Sequence, residues 1–106
     1  MVARIRVPAD VKRGTTVPVR IIILHQMETG YRFDVNGKTI PKNVIHTLTC
    51  TFNGVEIFRA EMGSGMAANP SIEFWFAPDR SGELAFDWQD DAEQRGNQRA
   101  MLKVAE

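Results

Sequence analysis

Apolar residues return at every second position in block after block of this chain. Val17, Val19, Ile21 and Ile23 alternate with Pro18, Arg20, Ile22 and Leu24, so one face is wholly apolar and the other becomes apolar toward the end. A period of two predicts a β-strand. Pro18 has no N–H to give a ladder, which places the strand's start at an edge or ahead of regular pairing. Over residues 44–52, Val44, His46, Leu48, Cys50 and Phe52 fall on one side, and Ile45, Thr47, Thr49 and Thr51 on the other. The threonines predict a half-exposed pleated face.

Asn53-Gly54 comes next, and a type I′ hairpin turn needs two residues that tolerate positive φ. The return strand is expected over 55–62. Ile72, Phe74 and Phe76 share a face in the following block, and Leu84, Phe86 and Trp88 repeat the pattern after a turn at Pro78 to Gly82. At the C-terminal end Ala100, Leu102 and Val104 are expected to point inward. With a strand near residues 3–7 this makes about seven short strands and no stretch of helical period. Short strands punctuated by Gly, Pro and Asn predict an all-β fold, a two-sheet antiparallel sandwich. The connection from 26 to 43 is read as its main irregular loop, a kind of segment that often carries function.

Length and charge narrow the field. A chain of 106 residues is expected to form one domain, 1–106, since two cores of half that size would each be marginal. The 13 basic and 13 acidic residues cancel, which removes the general electrostatic case for nucleic acid or an anionic membrane as partner. The opening "MVARIRVPAD" lacks the apolar core of a signal peptide, and Ile21 to Leu24 is too short to span a bilayer. On these grounds alone the chain reads as cytoplasmic. One cysteine, Cys50, cannot form an internal disulfide.

Candidate chemistry is sparse. Cys50 shares its face with Leu48 and Phe52, so its thiol is expected in the core, where burial raises its pKa and blocks access. His25, Met27, His46, Met62 and Met66 are the residue types that suit copper, but their spacing specifies no site. "GSG" at 63–65 lacks the ending of a phosphate loop, and no serine sits in a nucleophile motif. Asp87, Asp90 and Asp91 gather at a strand end, an arrangement that suits calcium, but carboxylates at a hairpin tip are usually solvated. No catalytic residue, metal or cofactor is expected.

Four ordered stretches then become legible together: "HQMETGYRFDVNGKTIPKNVI" (25–45), "TCTFNGVEIFRAEM" (49–62), "AANPSIEFWF" (67–76) and "SGELAFDWQDD" (81–91). They contain a His-x-Met-Glu-Thr-Gly run, an Asp-to-Pro loop at Asp34 to Pro41, a cysteine ahead of Asn53-Gly54, Asn69-Pro70 before an aromatic strand, and Trp88 followed by Asp90-Asp91. In this the chain resembles the SoxZ family, the smaller subunit of the SoxYZ sulfur-carrier complex of bacterial thiosulfate oxidation.

The resemblance implies an immunoglobulin-like sandwich and a non-catalytic role, binding a SoxY-type subunit as a heterodimer and meeting other sulfur-oxidation enzymes transiently. In that family the sulfur intermediate rides on a cysteine in a Gly-rich C-terminal arm of the partner. This chain ends "LKVAE", so Cys50 is not expected to be its counterpart. The resemblance also implies a periplasmic protein, exported on a partner that bears the signal. His25, Met27, Glu28, Thr29, Gly30, Tyr31, Phe33, Asn69 and Pro70 are then the expected partner interface, because Met adapts to varied surfaces and aromatics supply rigid contact area. The alternative is a stand-alone periplasmic protein that binds copper or uses its thiol, with His25 and Met27, and His46 or Cys50, as ligands.

Overall fold

The computed structural model describes residues 2–105. β3 (Val17–Ile23) buries Val17, Val19, Ile21 and Ile23 as its alternation requires, and lies between β1 (Ala3–Arg6) and β6 (Ser71–Phe76) in an antiparallel sheet. The second sheet is antiparallel too, in the order β5 (Val55–Glu61), β4 (Ile45–Phe52), β7 (Gly82–Asp90), β8 (Arg95–Leu102). Two short strands, β2 (Val11–Lys12) and β9 (Val104–Ala105), pair in parallel and close one end. The seven expected strands are all present, and the described residues include no helix. The fold is an immunoglobulin-like sandwich.

Aromatic contacts join the two sheets. Phe74 of β6 stacks on Phe58 of β5 at 4.4 Å between ring centroids, and Phe76 meets Phe52 edge-on at 5.3 Å. Each such pair adds about 1 kcal/mol beyond the area it buries. Phe86, Leu84 and Leu48 fill the space between, each fully buried. At the hairpin Asn53 has φ 50° and Gly54 φ 86°, the two positive values that the turn demands.

Two expectations fail for one reason. Ile45, placed with the threonines on the half-exposed face, is fully buried, whereas His46, placed inward, is only partly covered. The β4–β7 register shifts between Ile45 and Thr47. Such a bulge adds a residue to one strand and reverses the inside–outside alternation across it. The C-terminal strand begins earlier than its apolar positions indicate: residues 95–100, charged and without alternating apolar positions, belong to β8, which is held by its ladder to β7.

Candidate functional site

Residues 28–43, expected to be irregular, form an ordered two-legged arm. At its base Glu28 and Asn43 exchange both backbone hydrogen bonds, at 2.9 and 2.8 Å. Further out the Ile40 N–H donates to the Arg32 carbonyl, Phe33 faces Thr39, and the Asp34 N–H donates to the Lys38 carbonyl. The tip is an Asx turn: Asp34 Oδ1 accepts from the N–H of Asn36 at 2.8 Å and of Lys38 at 2.9 Å. Gly37 takes φ 78° there, a conformation that suits glycine. Arg32 grips Glu28 with two guanidinium hydrogen bonds, at 3.0 and 2.9 Å, which stiffens the outgoing leg.

Every residue from Tyr31 to Thr39 is exposed. Tyr31, Phe33 and Val35 occupy alternate positions of the outgoing leg, at 82%, 68% and 101% exposure. An isolated two-stranded ribbon has no interior, so these side chains find no cover among the described residues.

A buried polar cluster holds the root of the arm. His25, expected at the interface, is buried and faces Asp90, with its Nε2 3.0 Å from Asp90 Oδ2. Its Nδ1 accepts the Met27 N–H at 2.9 Å, so the ring proton sits on Nε2 and is donated to the carboxylate. Met27 is buried as well, with φ 52°, and its sulfur accepts the Ile45 N–H at 3.3 Å. Asp90 is fully buried, in contrast to the solvated position expected for it, and its Oδ1 accepts from the Gln94 N–H at 2.9 Å. Burial pushes the Asp90 carboxyl up, but the hydrogen bond from His25, with those from the N–H groups of Gln94 and Ala92, outweighs it and holds the group below the ordinary carboxylate range. Asn69 closes the cluster from a third side, accepting the His25 N–H at 3.0 Å and donating its own N–H to the His25 carbonyl.

The nine expected interface residues therefore divide. Tyr31 and Phe33 stand exposed on the arm, with Glu28, Thr29 and Gly30 partly covered at its base. The side chains of His25, Met27 and Pro70 are turned inward, and Asn69 ties its own loop to the end of β3. Both ring nitrogens of His25 and the sulfur of Met27 already hold partners within the chain. Among the described residues no three His, Cys, Asp or Glu side chains gather as a metal would require. Cys50 is fully buried, and burial, followed by the charge of Asp87, pushes its thiol up to about 12.

Two features of the site go beyond the expectations from sequence, the place of Val35 in the exposed row and the pairing of Asp90 with His25. Val35 continues the Tyr31–Phe33 alternation, a signal present in the sequence but masked by the polar and glycine positions around it. Asp90 could not be paired with His25 without the long-range register.

No curated protein matches the chain. Among solved structures, superoxide reductase (neelaredoxin) from Ignicoccus hospitalis superposes with a TM-score of 0.71 at 19% identity, covering 99% of this chain and 81% of that one. The sulfur carrier protein SoxY from Chlorobium limicola f thiosulfatophilum superposes with a TM-score of 0.65 at 11% identity, covering 98% and 79%. At these identities the likeness is one of fold. The family model described as "Sulphur oxidation protein SoxZ" matches residues 5–101, nearly the whole length, and the chain belongs to the SoxZ family.

Proposed function

We propose that this chain, whose family membership gives it a role in Sox sulfur oxidation, acts there as the non-catalytic subunit of a heterodimeric sulfur carrier. In this reading the arm docks on a SoxY-type subunit. The sulfur intermediates ride on a cysteine of that partner, other sulfur-oxidation enzymes engage the pair transiently, and the assembly works in the periplasm.

The observation that carries the reading is the exposed row of Tyr31, Phe33 and Val35 on an ordered arm. Two aromatic side chains offer roughly 300–400 Å² of contact area. That is close to half of the roughly 800 Å² that each partner contributes to a standard interface. The buried, high-pKa thiol of Cys50 fits a chain that does not itself carry sulfur.

The test is recovery of the tagged chain from its native periplasm, with intact-mass analysis of what accompanies it. The expected result is one partner of similar size bearing sulfur-sized adducts on its own cysteine. Recovery of the chain alone, with bound copper or an adduct on Cys50, would overturn the reading.

A further inference from the structure

The outer face of the β1–β3–β6 sheet carries a charge pattern that folding alone disfavours. In the β1–β3 register Arg6 lies directly across from Arg20, and Arg4 follows on the same face of β1. Like charges in opposed positions of an antiparallel pair destabilise it. Glu73, the cross-strand partner of Arg20 on β6, approaches its Nε at 3.7 Å in a largely exposed contact, where such a pair is worth little. Among the described residues neither Arg4 nor Arg6 has a carboxylate within 4.0 Å.

The other sheet treats its charges differently. Glu83 meets Arg99 at 3.5 Å, and Glu56 meets Arg59 at 2.9 Å. In a chain of 13 basic and 13 acidic residues, three arginines against one glutamate is a local excess that belongs to this face.

The surface around the arginines has shape as well as charge. Arg6, Arg20 and Glu73 border a hollow of about 190 Å³ that Val7, Pro8 and Pro18 also line. Trp75, 60% exposed, is the cross-strand partner of Pro18 one row further on. Trp and Arg are the types that dominate binding energy at protein interfaces. With two guanidinium groups against one carboxylate on its rim, and Glu73 facing Arg20, the hollow leaves Arg6 to meet the carboxylate of an incoming glutamate whose stem lies on Val7, Pro8 and Pro18.

We propose that this face docks an acidic protein surface, with Arg4, Arg6 and Arg20 as its charge contacts and Trp75 as its flat apolar anchor. Trp75 pairs near the start of β3, whereas the arm follows its end, roughly 20 Å away at the rise of an extended strand. The Trp75 end of this surface is thus remote from the arm, and the proposal does not depend on what the arm binds.

The test is an NMR titration of the full chain with a decaglutamate peptide at low salt, run beside phosphatidylglycerol vesicles and a dilution series of the chain alone. Amide shifts are expected around Arg4, Arg6 and Arg20 and at the Trp75 indole, fading at high salt. The double variant Arg4→Glu/Arg6→Glu is expected to weaken binding about tenfold or more. It should also raise the melting midpoint by about 2 °C, because a glutamate at position 6 faces Arg20 with opposite charge. Together these two effects identify a surface kept for binding at some cost in stability. Shifts elsewhere on the chain, or shifts that the double variant leaves intact, would overturn the proposal. So would vesicle binding without peptide binding, which assigns the face to lipid. A dimer that dilution dissolves and the double variant abolishes would assign it to a second copy.

Discussion

Asp90 accepts from the His25 ring and from the Gln94 N–H at a position with no solvent exposure, so most of its carboxylate is satisfied by the fold itself. Replacing it with alanine leaves buried donors without a partner and is expected to cost about 3 kcal/mol. Because its folded pKa is depressed, the charged form is the one favoured by folding. That stabilisation is complete above the unfolded value near 3.9 and drains as pH falls through the lower folded value. Urea midpoints should therefore stay level, as far as Asp90 is concerned, from neutrality down to about pH 5 and decline below about pH 4. Asp90→Asn should reduce both the neutral-pH stability and its share of the acid slope; an unchanged slope would show that the clamp does not carry the charge. Cys50 yields an independent prediction. Its buried thiol, pushed up to about 12, should resist alkylation in the native chain and react only at the rate of unfolding, as pulse labelling across a urea series would reveal.

At the scale of elements, β8 depends on a close approach that its own sequence does not announce. Gly96 lies across from Trp88, and a Cβ added there would come within 2.4 Å of the indole. Gly96→Ala should force the buried ring to move and cost about 2 kcal/mol, read as a lowered melting midpoint and a shifted Trp88 emission. This explains why β8 was legible only in part: residues 95–100 lack the apolar alternation that exposes β3 and β7 in the sequence, and pairing with β7 supplies what local pattern does not. Asn53-Gly54 was legible because its turn chemistry is local. The exchange of Ile45 and His46 was not, since nothing in residues 44–47 marks a bulge created by the register against β7. The arm was half legible. Its aromatic residues were picked out as a binding surface, but its two legs meet through backbone bonds that have no side-chain signature. His25 and Met27 misled for a related reason: their residue types suggest ligands or an interface, and only tertiary contacts show that Asp90 and Ile45 already occupy them.

The whole molecule measures 60 × 19 × 18 Å, with a radius of gyration of 16.2 Å against about 13 Å for a compact domain of this length. An extended leg from Glu28 to Val35 reaches roughly 23 Å, enough to account for much of that excess. The polar clamp that fixes the root of the arm lies outside residues 29–42, in His25, Met27, Ile45, Asn69 and Asp90. Sandwich and arm should therefore separate in their energetics. Replacing 29–42 with Asn-Gly joins Glu28 to Asn43, a pair already hydrogen-bonded both ways, by a two-residue hairpin turn. The shortened chain should keep its melting midpoint within about 2 °C, since the segment it loses buries little apolar surface. Its scattering radius should fall toward about 13 Å. Affinity for the partner recovered with the full chain should fall by several decades, while the milder Phe33→Ala lowers it about 30-fold and leaves stability unchanged. A shortened chain that unfolds would make the arm part of the sandwich's own stability. One that folds and still binds the partner at full strength would move the interface elsewhere, and the exposed Tyr31, Phe33 and Val35 would then need another occupant.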